Sequence, residues 1–252
     1  MQEVIDKHYQ RLAKDYDEFL YYSPQFVRAL TAKMIECLQL SEDDVLIDIG
    51  CGTGMYSLDI LQQVPLSKPI VGVDPYPEML SQIPPDAPIT PVAEDALTCS
   101  RRAANYNKVL VKETIHHVNR KDEFFRNMYG NLPPGGIVLL VHVPPAVQYP
   151  LFEAALQKCL RWHADPNELM ALLQSAGFQV HRDSLDYRHS IPKEHYFKMV
   201  RSCYMSVLTS FPEVELEAGL REMEARYRHV DTLQFVDHFD YLTATKPAAP
   251  MG

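Results

Sequence analysis

The sequence lacks the features of several large protein classes. Its 252 residues carry 24 lysines and arginines against 33 aspartates and glutamates, for a formal net charge of −9. This shortage of basic charge argues against a nucleic-acid backbone as the main partner, although it leaves room for a local basic patch. No apolar run is long enough to span a membrane, and the first residues lack the basic and apolar regions of a signal peptide. We therefore expect a soluble, cytoplasmic protein.

The sequence also lacks any pairing pattern among its cysteines. The five cysteines are widely scattered and none forms a C-x-x-C pair, so the sequence indicates neither a disulfide framework nor a zinc site. Hydrophobic residues make up 46% of the chain and charged residues 23%, as in ordinary globular proteins. The length suits one α/β domain with an elaboration, or two small domains. Either can bury a core without disulfides or a structural metal.

The most informative segment of the chain is residues 45–61. Its first five residues are mostly apolar, which suits a buried strand and is too short for a helix. Gly50, Gly52 and Gly54 then alternate with small residues, and a segment with helical spacing follows. A strand, a glycine turn and a helix N-terminus together form a cradle of backbone N–H groups. The alternative is a tight turn that binds nothing.

Two details of this turn favour a particular ligand chemistry. The spacing is G-x-G-x-G, and Met55 stands where the dinucleotide pattern needs its third glycine. Asp48 lies two residues before the first glycine. A carboxylate there would repel a pyrophosphate but would suit a ligand with an ammonium group.

Residues 48–54, with the sequence DIGCGTG, resemble the first motif of class I S-adenosylmethionine-dependent methyltransferases, an acidic residue followed by G-x-G-x-G. The resemblance is to small-molecule members of the methyltransferase type 11/25-like kind. It implies S-adenosylmethionine as cofactor, S-adenosylhomocysteine as product, and cofactor contacts from Asp48, Gly50, Cys51 and Gly52.

A second acidic residue stands at the end of another short apolar run. Asp74 follows the first glycine by about twenty residues, the distance at which a ribose-binding carboxylate is expected. Asp74 could instead begin the Pro-Tyr-Pro turn that follows it. The resemblance assigns further cofactor contacts to Pro75 and to Met79, which would pack on the adenine.

Two more segments extend the resemblance. Residues 89–97 resemble the third motif, in which Asp95 would accept a hydrogen bond from the adenine amine and Ala96 would supply a backbone N–H; Asp95 could instead cap the next helix. Residues 107–113 form a fourth strand pattern, followed by Thr114, another implied cofactor contact, and by a helix that stops at the Pro-Pro-Gly-Gly of residues 133–136.

Three histidines are the candidate acid–base groups. His116 and His117 follow the fourth strand, and His142 ends the fifth, at the sheet edge where ligands bind in open α/β sheets. An imidazole suits proton transfer near neutral pH. The alternatives are packing, helix capping or solvation. No set of metal ligands is apparent, and Asn/Asp-Pro-Pro-Tyr/Phe, the family's amino-methylating signature, is missing after the fourth strand.

Strand and helix patterns alternate regularly from residue 45 to residue 143, which predicts a parallel sheet with helices on both faces. With the resemblance, the expected fold is α/β and Rossmann-like: a doubly wound, mostly parallel seven-stranded sheet with a helical cap.

In small-molecule members an N-terminal helix closes over the cofactor, and Tyr16 would line it; packing is the alternative role for this tyrosine. The predicted divisions are a helical lid at 1–40, the cofactor-binding core at 41–190, a helical cap insertion at 191–230, the final strand at 231–246 and a disordered tail at 247–252.

The predicted function is transfer of a methyl group from S-adenosylmethionine to nitrogen, oxygen or sulfur of a small metabolite, without nucleic-acid or membrane partners, by a monomer or homodimer. Two alternatives stay open. One is a protein or RNA methyltransferase, which the acidic charge disfavours. The other is a non-catalytic subunit with the same fold, which would be expected to lose the cofactor carboxylates. The sequence does not identify the acceptor, the need for a general base, the oligomeric state or the number of methyl transfers.

Overall fold

The computed structural model describes residues 23–103 and 105–248. Within these residues no helix is long and apolar enough to cross a membrane. The strands are β1 (Leu46–Ile49), β2 (Ile70–Asp74), β3 (Ile89–Ala93), β4 (Lys108–Lys112), β5 (Ile137–His142), β6 (Gln179–Pro192) and β7 (Thr232–Thr245). The α-helices are α1 (Pro24–Leu38), α2 (Met55–Gln63), α3 (Pro77–Leu80), α4 (Ala96–Ser100), α5 (Lys121–Asn131), α6 (Glu153–Trp162), α7 (Pro166–Ser175), α8 (Lys193–Arg201) and α9 (Glu213–Arg226). Short 3₁₀ helices span Ile115–His117 and Ser206–Ser210.

The seven strands form one sheet in the order β3-β2-β1-β4-β5-β7-β6. The pairings from β3 to β5 are all parallel, whereas β7 runs antiparallel to both β5 and β6. The chain reverses direction across the sheet between β3 and β4, because β1 lies between β2 and β4. This confirms the predicted doubly wound, mostly parallel sheet, and it brings the carboxyl ends of β1 and β4 side by side.

Helices cover both faces of the sheet. The central strands are buried on both sides, which explains why they read as apolar runs rather than as alternating patterns. One apolar cluster joins the sheet to α1, α2, α6, α8 and α9, and a second joins it to α4, α5 and α7. The core is therefore two layers of side chains with the sheet between them.

Helix α1 belongs to the first of these layers. Ser23 caps it, and Phe26, Leu30 and Met34 on its apolar face are fully buried. The Lys108 ammonium in β4 donates to the Leu38 carbonyl over 2.6 Å and so ties the helix end to the sheet. This part of the predicted 1–40 lid is thus a packed layer of the core. Tyr16 and the rest of residues 1–22 lie outside the described residues.

The chain between β6 and β7 packs against the segment that follows β5. Trp162 Nε1 donates to Ser206 Oγ over 3.2 Å, and Arg226 Nη1 donates to the Leu151 carbonyl over 3.1 Å. Phe152 stacks edge-on against Phe211. Together with the packing of α8 on α9, these contacts join α6, α8 and α9 into one helical layer on the side of the sheet that carries α1 and α2.

Gly219 in α9 gives a direct test of this helical layer. An alanine Cβ there would lie 2.4 Å from Phe152 Cγ, whereas at the exposed Gly130 of α5 it would meet nothing within 4 Å. Glycine to alanine in a helix normally stabilises by up to about 1 kcal/mol, but overpacking costs about 1–3 kcal/mol. We expect Gly219→Ala to lower the free energy of unfolding in urea and Gly130→Ala to raise it. A gain in both variants would show that α9 does not press on Phe152.

Candidate active site

The glycine turn between β1 and α2 has the geometry that only glycine adopts readily. Gly50, Gly52 and Gly54 have φ angles of +81°, +57° and +78°. The N–H groups of Gly50 and Cys51 donate to the Val73 carbonyl over 2.7 and 3.0 Å, so this turn is anchored to the end of β2. An alanine Cβ at Gly50 would lie 1.9 Å from Thr114 Oγ1. The turn is therefore a tight cradle bordered by the segment after β4.

Asp48 lies beneath this turn. It is 3% exposed and accepts a 2.6 Å hydrogen bond from the Ser57 hydroxyl of α2. Burial raises the pKa of Asp48 to about 6, and the Ser57 hydrogen bond only partly opposes this. Burial thus disfavours the ionised form of Asp48, which a cationic ligand nearby would stabilise.

This raised pKa predicts a pH-dependent stability. The pKa of Asp48 rises from 3.8 to about 6 on folding, so the native state holds the proton more tightly, and stability falls as pH rises between these values. Asp48→Asn removes this loss. In urea unfolding without ligand, the stability of the variant relative to the unsubstituted protein should rise by up to about 3 kcal/mol from pH 4 to pH 7. Asp86→Asn, at an exposed carboxyl, should show a constant difference; parallel curves for Asp48→Asn would contradict the prediction.

Asp74 lies at the end of β2, as expected for a carboxylate that binds ribose, and it is hydrogen-bonded to the glycine turn. Its two carboxylate oxygens accept 3.0 Å hydrogen bonds from the N–H groups of Gly52 and Tyr76. Burial raises the pKa of Asp74, while these hydrogen bonds lower it. Pro75 next to it is exposed, and Met79 is buried with its methyl group close to Gly52. Asp74 thus stabilises the glycine turn and lies directly next to it.

Asp95 has the capping role that was the alternative to an adenine contact. Its side chain accepts hydrogen bonds from the Thr98 N–H over 3.0 Å and from the Thr98 hydroxyl over 2.5 Å. Burial would raise the pKa of Asp95, but these bonds outweigh it and hold the pKa below the ordinary value. Asp95 is exposed and Ala96 is partly buried at the start of α4. An adenine contact from either residue stays a prediction.

The candidate histidines differ in their surroundings. His116 and His117 lie in the 3₁₀ helix after β4 with ring centroids 4.1 Å apart, and His163 at the end of α6 lies 5.7 Å from His116. The His142 ring contacts the neighbouring Val143 carbonyl in the interior. Burial lowers the pKa of each imidazole, that of His117 to about 4 and that of His116 well below its ordinary value. They are therefore neutral and weak bases at pH 7, less suited to proton transfer than the sequence suggests.

A cavity of about 130 Å³ opens at the carboxyl end of β4, and we call it the β4 cavity. Its lining comes from the end of β4, from β6 and β7, and from residues 199–207 between these two strands. Its charged lining groups are Lys112, Glu113 and Asp237. Its rings are His116, Tyr149, His163, His189, Tyr204, Phe235 and Phe239. Among the described lining residues, His116 is the one predicted catalytic residue; His117 and His142 lie outside the lining.

Glu113 links the β4 cavity to the glycine turn. It is the residue before Thr114, whose side chain packs on Gly50. The Glu113 carboxylate accepts a 2.7 Å hydrogen bond from the Val143 N–H, and burial raises its pKa. Its φ is +50°, an uncommon conformation for a residue with a side chain that often marks functional sites. The sequence signal was a charged pair, Lys112 and Glu113, at the end of an otherwise apolar strand.

Lys112 and Asp237 are the other charges that sequence reasoning missed. The Lys112 ammonium lies 4.3 Å from the centre of the Tyr56 ring and 5.3 Å from that of Phe239, and burial lowers its pKa. Asp237 accepts a short hydrogen bond from the Tyr149 hydroxyl. No local pattern identifies Asp237, because the strand position that turns it toward the cavity depends on pairing across the sheet.

Among the described residues, no group of three or more histidines, cysteines or acidic residues is arranged to hold a metal ion. The carboxylates and backbone groups around the turn instead fit an organic cation with a ribose. At Gly50 a Cβ would clash with Thr114, so the backbone there is bare of side chain. The Asp48 carboxylate lies beneath the turn, and the Asp74 carboxylate lies at the end of β2. Asp48, Asp74 and the backbone of Gly50 to Gly52 are the groups that would hold such a cofactor.

Comparisons with known proteins agree with this geometry. Residues 16–183 match the family model described as a methyltransferase domain. An uncharacterised methyltransferase of Schizosaccharomyces pombe is 34% identical over 68 residues, which are 27% of this chain and 24% of that protein.

Solved structures show the same fold at low identity. Phosphoethanolamine N-methyltransferase 2 of Haemonchus contortus, solved with phosphomonomethylethanolamine and S-adenosylhomocysteine, has a TM-score of 0.62 and 17% identity over 94% of this chain and 57% of its own. A putative methyltransferase of Bacillus halodurans has a TM-score of 0.60 and 16% identity over 87% of this chain and 100% of its own. The [4+2]-cyclase SpnF also has a TM-score of 0.60, at 16% identity over 89% of this chain and 82% of its own, so the fold is not confined to methyl transfer.

Proposed function

The chain belongs to the class I S-adenosylmethionine-dependent methyltransferase family, and from that premise we propose that it transfers a methyl group from S-adenosylmethionine to a nitrogen, oxygen or sulfur atom of a small metabolite. The observation that carries the proposal is the β4 cavity. Glu113 lines it, and the next residue packs on Gly50 of the glycine turn. A cofactor in the turn and an acceptor in the cavity would therefore be neighbours.

The residues around the turn have the chemistry to hold this cofactor. Asp74 accepts from ribose hydroxyls, Asp48 supplies negative charge beneath the turn, and Met79 offers an apolar contact for the adenine. We keep Cys51, Pro75, Asp95, Ala96 and Thr114 as proposed contacts around these groups, and Tyr16 as a proposed contact from outside the described residues. When bound, the cofactor supplies an electrophilic methyl group on a sulfonium.

The chain's own groups would position the acceptor and exclude water. The β4 cavity is small and is bordered by residues 199–207 between β6 and β7, which favours a metabolite over a protein side chain or an RNA base. His116 is the proposed catalytic histidine that lines it; His117 and His142 would act through their neighbours as positioning residues. A cytoplasmic location, a monomeric or homodimeric state and the predicted domain limits stay predictions.

The test combines cofactor binding with a search for the acceptor. Calorimetric titration should give micromolar dissociation constants for S-adenosylmethionine and S-adenosylhomocysteine. The protein should then move a labelled methyl group from the cofactor into a deproteinised metabolite extract, and not into total protein or RNA. Label in protein or RNA would replace the small-molecule proposal by the macromolecular one. Absence of cofactor binding would favour the non-catalytic subunit.

A further inference from the structure

The β4 cavity contains a buried carboxylate that forms no ion pair with a lysine or arginine in the part of the chain that the structure describes. Asp237 is 8% exposed, and its partners are the Tyr149 hydroxyl and the His189 imidazole, whose Nε2 lies 3.5 Å away. Among the described residues no lysine or arginine nitrogen lies within 4 Å of Asp237. A buried carboxylate is normally paired with a cation, because burial otherwise costs several kcal/mol. A ligand with a positive charge would supply the missing partner.

A second carboxylate faces the same space. Glu113 has a backbone N–H as its hydrogen-bond partner, and it too has no lysine or arginine nitrogen within 4 Å among the described residues. The imidazoles of His116 and His163 add no charge at neutral pH, since burial lowers the pKa of His116 well below its ordinary value and that of His163 to about 4. Apart from the imidazoles, the charged groups that line the cavity are two carboxylates, Glu113 and Asp237, and one ammonium, Lys112.

The remaining walls suit an ammonium group more than a neutral chain. His189 and Tyr149 both contact the Phe235 ring: His189 stacks on it with ring centroids 5.0 Å apart, and the Tyr149 ring is steeply inclined to it at 5.7 Å. Tyr204 and Phe239 complete the aromatic lining. Ring faces attract cations, and alkylated ammonium groups in particular. The volume of about 130 Å³ is close to the roughly 150 Å³ that accommodates benzene, so the ligand has about six to eight non-hydrogen atoms.

We infer that the methyl acceptor is a small aliphatic amine whose nitrogen lies between the Glu113 and Asp237 carboxylates and against the aromatic rings. This rests on the proposed function and names its substrate class. An ammonium must first lose a proton, and the Glu113 carboxylate accepts it. The nitrogen lone pair then forms the N–C bond while the C–S bond breaks and leaves its electron pair on sulfur. The product is a methylated ammonium that the carboxylates and rings stabilise.

The test uses three ligands of the same shape and different charge. Choline, neutral 3,3-dimethyl-1-butanol and anionic 3,3-dimethylbutanoate are titrated into the protein saturated with S-adenosylhomocysteine. Choline should bind about tenfold or more tightly than the alcohol, as a desolvated cation–π contact and a carboxylate together predict. Asp237→Asn and Phe235→Leu should each reduce this preference severalfold. Asp231→Asn, at an exposed carboxyl beside the start of β7, is the matched control and should leave the preference unchanged.

Two kinds of result overturn the inference. Equal binding of choline and the alcohol, or no binding of any ligand, would show that the cavity does not select positive charge. Tighter binding of 3,3-dimethylbutanoate would show that Lys112, and not the carboxylates, recognises the acceptor. The S-adenosylhomocysteine titration that precedes the test is a separate readout: if it fails, the proposed function fails, and the three ligands are then compared on the protein alone.

Discussion

Gly50→Ala should severely weaken the binding of S-adenosylhomocysteine. The φ of +81° costs an alanine about 1–2 kcal/mol by itself. Its Cβ would also lie 1.9 Å from Thr114 Oγ1 and 2.7 Å from Thr114 Cβ, so rotating the threonine side chain does not relieve the overlap. Either the turn or the segment after β4 must move, and both border the proposed cofactor site. Calorimetric titration should show a loss of at least about 100-fold in affinity.

Gly135 provides the matched control for this variant. Its φ is +80°, almost the same as that of Gly50, but a Cβ there would meet nothing within 4 Å. Gly135→Ala should therefore lose about 1–2 kcal/mol of stability and keep its affinity for S-adenosylhomocysteine. The double variant Gly50→Ala/Thr114→Gly should regain part of the binding. If Gly50→Ala binds as Gly135→Ala does, then close packing at the turn is unimportant.

Asp74→Ala should lower the affinity for S-adenosylhomocysteine by about 100-fold or more. A hydrogen bond to a charged group contributes about 1.5–3 kcal/mol, and this carboxylate is proposed to accept from two ribose hydroxyls. The variant also loses the acceptor of the Gly52 and Tyr76 N–H groups, which loosens the turn. Asp86→Ala, at an exposed carboxyl between β2 and β3, should bind as the unsubstituted protein does.

A double-mutant cycle separates the ribose contact from the bracing of the turn. The 2′-deoxy analogue of S-adenosylhomocysteine should bind the unsubstituted protein more weakly than the parent compound does. In Asp74→Ala the two ligands should bind almost equally, because the partner of the hydroxyl is gone. A full effect of the missing hydroxyl in the variant would remove Asp74 from ribose recognition and leave it a structural residue of the turn.

Local patterns were sufficient for most of the fold. Short apolar runs that end in glycine or in acidic residues are recognisable in sequence, because strands buried on both faces must be apolar throughout. The predicted doubly wound, mostly parallel seven-stranded sheet is present in the structure. The length of β6 was not apparent: along most of its 14 residues exposed and partly buried positions alternate, and its extent depends on pairing with β7.

Some residues of the candidate site have local sequence signals, and others depend on contacts that the fold creates. Asp48, the glycines and Asp74 lie within or directly after short local motifs, so their positions followed from spacing. The sequence around Asp95 suits both an adenine contact and a helix cap, and the contact with Thr98 shows capping. The ordinary pKa of a histidine suits proton transfer, but the burial of these three histidines, which no local pattern reveals, lowers their pKa.

The sequence by itself determined the family and the order of strands and helices, since both rest on residues close together in the chain. Only the tertiary structure decided what lines the β4 cavity. Glu113, Tyr149 and Asp237 are separated by up to 124 positions and meet because β7 inserts between β5 and β6. Charge balance and burial arise from such long-range neighbours, so the preference for a cation became readable only after folding had brought these groups together.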